Sequence, residues 1–480
     1  MTVVQEIDEI FERNWQAVGI TPAEQSDDPM FLRRVTLDLT GRIPSANDVR
    51  MFVKNQRSDK RLRVIEGLFQ NPRYARHLAG LWRDILLPRD TAPGLAEAFE
   101  SWLRLRFQQQ VAYDELTREI LTARGTVNQS EAVVFFTAHN VKPEELAAST
   151  SQVFLGVEVR CAQCHDHPST KWKQAAFWGL AAFFARMEPF SENVPNAKVD
   201  DQADGEAYLP NSGAVASPRF LDGTEFAEAT AEPRRAVLAR WITSSDNPYF
   251  ARAIANRAWW ILFGRGIADP VDDLGPHNPG THPDVLNHLA ADFTSHGADL
   301  QRMFRVIMST RAYQLSSVYG NERELAEVNY ACMPIRSLSA RQVYDSLLQA
   351  AGNRDTLENM SPQVQSGRQE FLKKFDVPVR QATEFQGGIP QTLALLNGPF
   401  VARMSNPGTG DLIAALAGSP FLSDDQRVET LFLSTLSRYP TDTERQQAIG
   451  LFGPNSVRRA QALGDILWAL LNSSEFVMNR

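Results

Sequence analysis

The run Cys161-Ala162-Gln163-Cys164-His165, continued by Asp166-His167-Pro168, gathers two of the chain's three cysteines and two of its eight histidines. Two cysteines separated by two residues and followed by histidine have the spacing for covalent c-type haem attachment. The thiols would add to the two vinyl groups and the imidazole would take one axial position on iron. Haem c, or haem held without a covalent bond, is therefore one expected cofactor, with Cys161, Cys164 and His165 holding it and His165 as proximal ligand. The same stretch also suits a bare metal. Cys161, Cys164, His165 and His167 offer two sulfurs and two imidazoles, a set that zinc, non-haem iron or copper accepts. A closed site from so short a segment is cramped, and no second CxxC or HxxxH follows. Ligands from elsewhere would be needed, His282 first. A third reading makes the cysteines a buried structural cluster that staples two helices, since free cysteine is commonly buried.

A second constellation spans residues 269–283, where three carboxylates and two histidines share a loop rich in Gly and Pro. Such a loop can aim polar groups at a pocket. Asp272, Asp273 and His282 are the catalytic candidates, as acid and base or as part of a metal shell. The plain alternative is that Asp272, Asp273 and Thr281 cap helices. Arg257 and Arg265 lie nearby in sequence and suit an anion, haem propionates or structural ion pairs. Trp172, Phe177, Trp178, Phe183 and Phe184 would either wall a porphyrin or form ordinary core. Cys332 is isolated and expected to be dispensable. No Ser-His-Asp order, phosphate loop or dinucleotide fingerprint is present.

The elements that must position these groups read as helices. Val3, Ile7, Ile10, Phe11, Trp15 and Val18 recur at three-to-four-residue spacing, and so do Tyr74, Leu78, Leu81/Trp82 and Ile85. Comparable stripes run through 62–69, 285–293, 300–308, 343–348, 428–436 and 463–471, whereas strand-like alternation is scarce. Ser58-Asp59, Asn71-Pro72 and Thr281-His282-Pro283 read as helix starts. Periodicity fails between residues 187 and 230, with Pro189, Pro195, Pro210 and Pro218, and again around Gly352 to Gly367. The expected fold is mainly α: two packed helical domains, 1–230 and 231–480, joined by an irregular Pro/Gly-rich connection over 187–230. A pocket between the halves would bring the 272–282 loop to the cysteine motif.

A chain of 480 residues is too long for one core, and its apolar fraction of 43% suits packed interiors. No apolar run reaches eighteen residues, so no membrane span is expected. A formal net charge of −8 argues against nucleic acid as partner. The expected partners are a small-molecule substrate or a redox partner protein, and no signal for an oligomeric state is present. The first residues carry neither a basic n-region nor a long apolar h-region. The protein is expected to be cytoplasmic if Met1 is the natural start, and periplasmic if a leader has been trimmed.

Several ordered motifs resemble the planctomycete cytochrome-c-associated family, which pairs the domains of unknown function 1549 and 1553. They begin with Phe31-Leu32-Arg33-Arg34-Val35-Thr36-Leu37-Asp38-Leu39-Thr40-Gly41-Arg42-Ile43-Pro44. Phe154-Leu155-Gly156-Val157, the CxxCH segment, Lys171-Trp172 and residues 177–184 follow. The second half contributes Asn247-Pro248-Tyr249-Phe250-Ala251-Arg252, Asn256-Arg257, Gly264-Arg265-Gly266 and Asp269-Pro270-Val271-Asp272-Asp273. Asn278-Pro279, His282-Pro283, Ser309-Thr310-Arg311-Ala312-Tyr313-Gln314, Leu395-Leu396-Asn397-Gly398 and residues 468–476 complete the likeness. It covers nearly the whole chain and implies a cytochrome context. The family usually adds an export signal and a separate N-terminal haem domain, and this sequence contains neither. The function expected from motif and resemblance together is a haem- or iron-dependent oxidoreductase or electron-transfer protein. The alternatives are a cytoplasmic non-haem metalloenzyme and a non-catalytic binding module.

Overall fold

The computed structural model describes every residue except 1, 169, 189–197, 211, 227–231, 353–361, 376–397 and 454. The described chain is predominantly α-helical. Each apolar stripe named above lies in a helix, among them Val3–Val18, Lys60–Phe69, Pro72–Leu86, Pro283–Ser295, Leu300–Ser309 and Ser456–Leu471. Strand is confined, among the described residues, to two short antiparallel ladders. Ala207–Tyr208 pairs with Val215–Ala216, and Arg336–Ser337 with Met478–Asn479. Side-chain caps set some of the helix starts. Ser45, Ser339, Ser423 and Thr441 each form a reciprocal capping box, and Asn71 accepts the Arg73 amide at 3.0 Å. The Asp59 carboxylate caps nothing; it is held by Arg57 and Arg63 instead.

The chain forms two compact units, each built from separated segments. One comprises Met1–Ile10 and Ala75–Ile307, the other Phe11–Tyr74 and Met308–Arg480. The sequence boundary near residue 230 thus falls inside the first unit. The stretch after Met187 has little regular secondary structure, yet it is pinned to that unit by two buried arginines. Arg235, 1% exposed, grips both oxygens of Asp201 at 2.7 and 3.0 Å and donates to the Ala123 carbonyl at 2.7 Å. Arg234 reaches Glu206 and the Ala182 carbonyl. The loose stretch expected over 352–367 lies partly outside the described residues, and its last part is already helix, in Pro362–Phe375. Leu395, Leu396 and Asn397 also lie outside the described residues.

In the second unit an apolar cluster including Leu347, Ile413, Val428, Leu431, Leu463 and Leu467 forms the interior. Beside it lies a polar knot made by the opening family motif. Asp38, 7% exposed, accepts from Arg336 at 2.8 and 3.0 Å, from the Tyr313 hydroxyl at 2.8 Å and from Asn479 at 2.8 Å. Arg34 donates to the Arg480 carbonyl at 2.8 Å, and Arg33 to the carbonyls of Thr435 and Phe476 at 3.0 and 2.7 Å. Four distant parts of the chain meet there, which is why the unit is not a contiguous segment. Removing one member of a buried ion pair strands the other at a cost of several kcal/mol. Asp38→Ala is therefore expected to lower the unfolding free energy by about 3–5 kcal/mol in urea titrations. Asp59→Ala, at an exposed carboxylate, should leave the curve close to wild type.

Candidate functional site

The CxxCH segment hangs from a helix that changes pitch. Pro143–Thr150 continues as the π-helical turn Ser151–Leu155, which ends at Gly156 in the left-handed region, φ +63°. A Cβ there would stand 2.9 Å from Leu274 Cδ1 and 3.0 Å from Ala253 Cβ, so the close approach requires glycine. A 3-10 turn, Arg160–Gln163, then carries Cys161, and Cys164 follows at its end. Residues three apart on such a helix eclipse one another, with a rise of ~2.0 Å per residue. Cys161 lies in this turn and Cys164 is the residue that ends it, so an ideal 3-10 rise would set their Cα atoms about 6 Å apart. Both are exposed and neither is in a disulfide. The turn is clamped from behind by the helix Gln174–Ala181. Trp178 Nε1 donates to the Gln163 carbonyl at 2.9 Å, and Gln174 Nε2 to the Cys164 carbonyl at 2.8 Å.

The imidazoles do not join the sulfurs in a ligand shell. His165 Nδ1 lies 2.8 Å from the Asp166 carbonyl oxygen. Because a carbonyl only accepts, Nδ1 carries the proton and Nε2 the lone pair. His167 Nδ1 accepts the Thr170 amide at 3.1 Å. Among the described residues, no group of three or more His, Cys, Asp or Glu side chains is placed to hold a metal. This overturns the expected cofactors, haem c or non-covalent haem and non-haem iron, copper or zinc, on Cys161, Cys164, His165 and His167, with or without His282. Sequence proximity supplied the ligand types, but the fold brings no three of them together. The aromatic residues offered as porphyrin walls are core instead. Phe177, Phe183 and Phe184 are at most 1% exposed, and Phe183 stacks on Phe220 at 4.9 Å. The two sulfurs are not buried staples either, since both face solvent.

The 269–283 loop is held by the Asn256-Arg257 pair of the helix Phe250–Phe263. Fully buried Asn256 donates to the carbonyls of Ala268 and Val271 at 2.8 and 3.0 Å and accepts the Ala268 amide at 3.0 Å. Arg257, nearly buried, pairs with Asp272, which also accepts from Gln152 at 3.3 Å. Asp273 pairs with His277 at 2.9 Å, and Arg265 lies 3.7 Å from Asp269. The arginines thus serve structural ion pairs. The loop does meet the segment leading to the cysteines, through the Leu274 amide donating to the Gly156 carbonyl at 2.7 Å. That contact falls five residues before Cys161. His282 begins the helix Pro283–Ser295 without a side-chain cap. It is 2% exposed, and its Nδ1 is 3.0 Å from Thr281 Oγ1. The feature that sequence spacing did not reveal is the π-helical turn and the glycine contact that set the angle of the cysteine segment.

The fold and this site define a two-module helical protein with an exposed cysteine pair. Residues 6–189 match the family PSCyt2, described as a protein of unknown function (DUF1549), and residues 234–369 match PSD1, likewise described (DUF1553). The chain carries both domains and so belongs to the planctomycete cytochrome-c-associated architecture. No curated protein and no solved structure matches it. Among the described residues no helix is long and apolar enough to cross a membrane.

Burial pushes the His282 imidazole down to about 4, so it is neutral near pH 7, whereas in the unfolded chain it titrates near ~6.5. Between those values the unfolded state binds the extra proton, so stability falls as pH drops from about 6.5 toward 4, by on the order of 3 kcal/mol. His282→Gln should flatten that part of the profile relative to wild type in urea titrations run across this range. Parallel profiles for the two proteins would show that the imidazole is not buried neutral.

Proposed function

We propose that this protein is a redox module acting by thiol–disulfide exchange, with Cys161 and Cys164 as a dithiol that reduces a disulfide on a redox partner protein. The observation that carries this reading is the exposure of two free cysteines, one within a 3-10 turn and the other at its end. Cα atoms about 6 Å apart fall within the ~4.4–6.8 Å that a disulfide spans, so the pair closes without moving the backbone. The family's cytochrome-c context fits a chain that works beside electron carriers.

One cysteine, as thiolate, attacks a sulfur of the partner's disulfide. That bond breaks, one partner sulfur leaves as thiolate, and a mixed disulfide joins the two proteins. The second cysteine then attacks its neighbour's sulfur, expels the partner's other thiolate and closes the Cys161–Cys164 bond. Two electrons pass to the partner, and the two thiol protons end on its sulfurs. The His165 lone pair on Nε2, set by the Asp166 carbonyl, supplies a base next to Cys164 for the proton lost before attack. Cys332 is outside this chemistry: it is fully buried, and burial pushes its thiol up to about 11.

The reduced native protein should react rapidly with Ellman's reagent at two of its three thiols. Glutathione redox buffers should close a Cys161–Cys164 disulfide, with a midpoint between about −120 and −300 mV. Peptide mapping locates the bond. Cys332→Ala should titrate like wild type, and Cys164→Ser should trap a mixed disulfide at Cys161. Slow labelling of both surface thiols, or oxidation that yields only intermolecular bonds, would defeat the reading.

A further inference from the structure

The motif Asn247-Pro248-Tyr249-Phe250-Ala251-Arg252 plays no part in the cysteine chemistry, yet it lines an open groove of about 400 Å³ in the first unit. The groove runs between the first turns of the helix Phe250–Phe263 and the later turns of Pro283–Ser295, two helices packed along one another. Its volume is within the range of small-ligand sites, ~300–1,000 Å³. Small side chains, Ala251, Ala290 and Ala291, leave the floor clear.

Arg252 contrasts with several arginines of this unit. Arg234, Arg235, Arg257 and Arg302 all grip carboxylates. Arg252 has no described carboxylate within ion-pair distance, and its Nε is buried without a hydrogen-bond partner. Burial alone lowers its pKa, with no neighbouring charge to raise it. The first turn of its helix contains no acidic residue, and Asp292 on the facing helix is already held by Arg302 at 2.7 and 2.8 Å. A buried guanidinium nitrogen without an acceptor costs free energy that an incoming oxygen would recover.

The remaining polar groups separate into spent and available donors. The Asn247 amide donates to the Trp241 carbonyl, and its oxygen accepts the amides of Tyr249 and Phe250. Thr294 and Ser295 donate to the carbonyls of Ala290 and Asp292. The side chains of Ser245 and Asn287 make no hydrogen bond to a described residue and stand at the groove. Three sets of donors, from Arg252, Ser245 and Asn287, therefore border one apolar floor, and no described residue accepts from the buried Arg252 Nε or from the side chains of Ser245 and Asn287.

We propose that this groove binds a small oxyanion, a carboxylate or a phosphate, with Arg252 as its charge partner and Ser245 and Asn287 as neutral donors. A guanidinium matches both anions in bidentate geometry, and the alanine floor accommodates a short apolar body attached to the charged head. The site is separate from the dithiol and does not rest on it.

Isothermal titration at constant ionic strength, with hexanoate and with inorganic phosphate as probes, tests this. At least one probe should bind saturably at one site per chain. Preference for hexanoate would identify an organic acid as the ligand class, and preference for phosphate a phosphoryl compound. Arg252→Gln should weaken binding by about 10- to 100-fold, the loss of one charge-assisted hydrogen-bonded contact. Ala291→Leu, which fills the floor and keeps Arg252, should abolish hexanoate binding, with helicity by circular dichroism unchanged. Absence of saturable binding of either probe, or wild-type affinity in Arg252→Gln, overturns the proposal. Should Arg252→Gln fail to fold, wild-type hexanoate affinity in Ala291→Leu overturns it for the carboxylate. In that case undiminished phosphate affinity in the exposed-site variant Asn287→Ala overturns it for phosphate.

Discussion

A guanidinium keeps its charge under all ordinary conditions and brings five N–H groups with it, so an arginine that is buried must collect acceptors from wherever the chain can supply them. The architecture of both units follows from that constraint. Arg33 and Arg34 gather carbonyls from residues 313, 435, 476 and 480. Arg235 gathers Asp201 and the carbonyl of Ala123. Arg257 gathers Asp272 and the carbonyl of Gln152. Each one ties together segments that the helices alone would leave unconnected. Taking two charges out of water is expensive, so these knots add less net stability than specificity of arrangement: an alternative packing strands a charge.

The same economy of acceptors shapes the site. Asn256 spends its whole amide on the backbone of the 268–271 segment, and Arg257 spends its charge on Asp272. The first part of the loop that leads to His282 is thereby tied to one helix. The cysteine turn is the opposite case. Its carbonyls are clamped by Trp178 and Gln174, while the sulfurs are left facing solvent. Under the proposed function, a clamped backbone carrying two exposed cysteines would act on a partner without reorganising itself. The groove at Arg252 completes the contrast, because there a buried guanidinium Nε has no acceptor among the described residues.

Much of this was legible in the sequence. The apolar stripes located the helices to within a few residues, since a 3.6-residue repeat has one way to bury its face. The family motifs were legible too, and the comparisons bear the family out. What they do physically was harder to read. Phe31 to Pro44 was legible as a family motif, and within it Arg33, Arg34 and Asp38 form the polar knot of an interior. Asp272 and Arg257 look like acid and anion binder, but they are one ion pair. No spacing rule distinguishes a charge that is satisfied from one that is not, because the partner of Asp272 lies 15 residues away and that of Asp38 lies 298 residues away.

The sequence by itself determined the helical class, the family and the chemical identity of the reactive groups, since these follow from local periodicity and from side-chain types. Tertiary structure alone decided what those groups can do together. Four soft ligands within seven residues suggested a metal, and the backbone decided otherwise. The 3-10 turn carries Cys161 and ends at Cys164, and the carbonyl of Asp166 took the His165 ring. Coordination needs side chains converging on one point, and convergence is a property of backbone direction, which a list of residues does not contain.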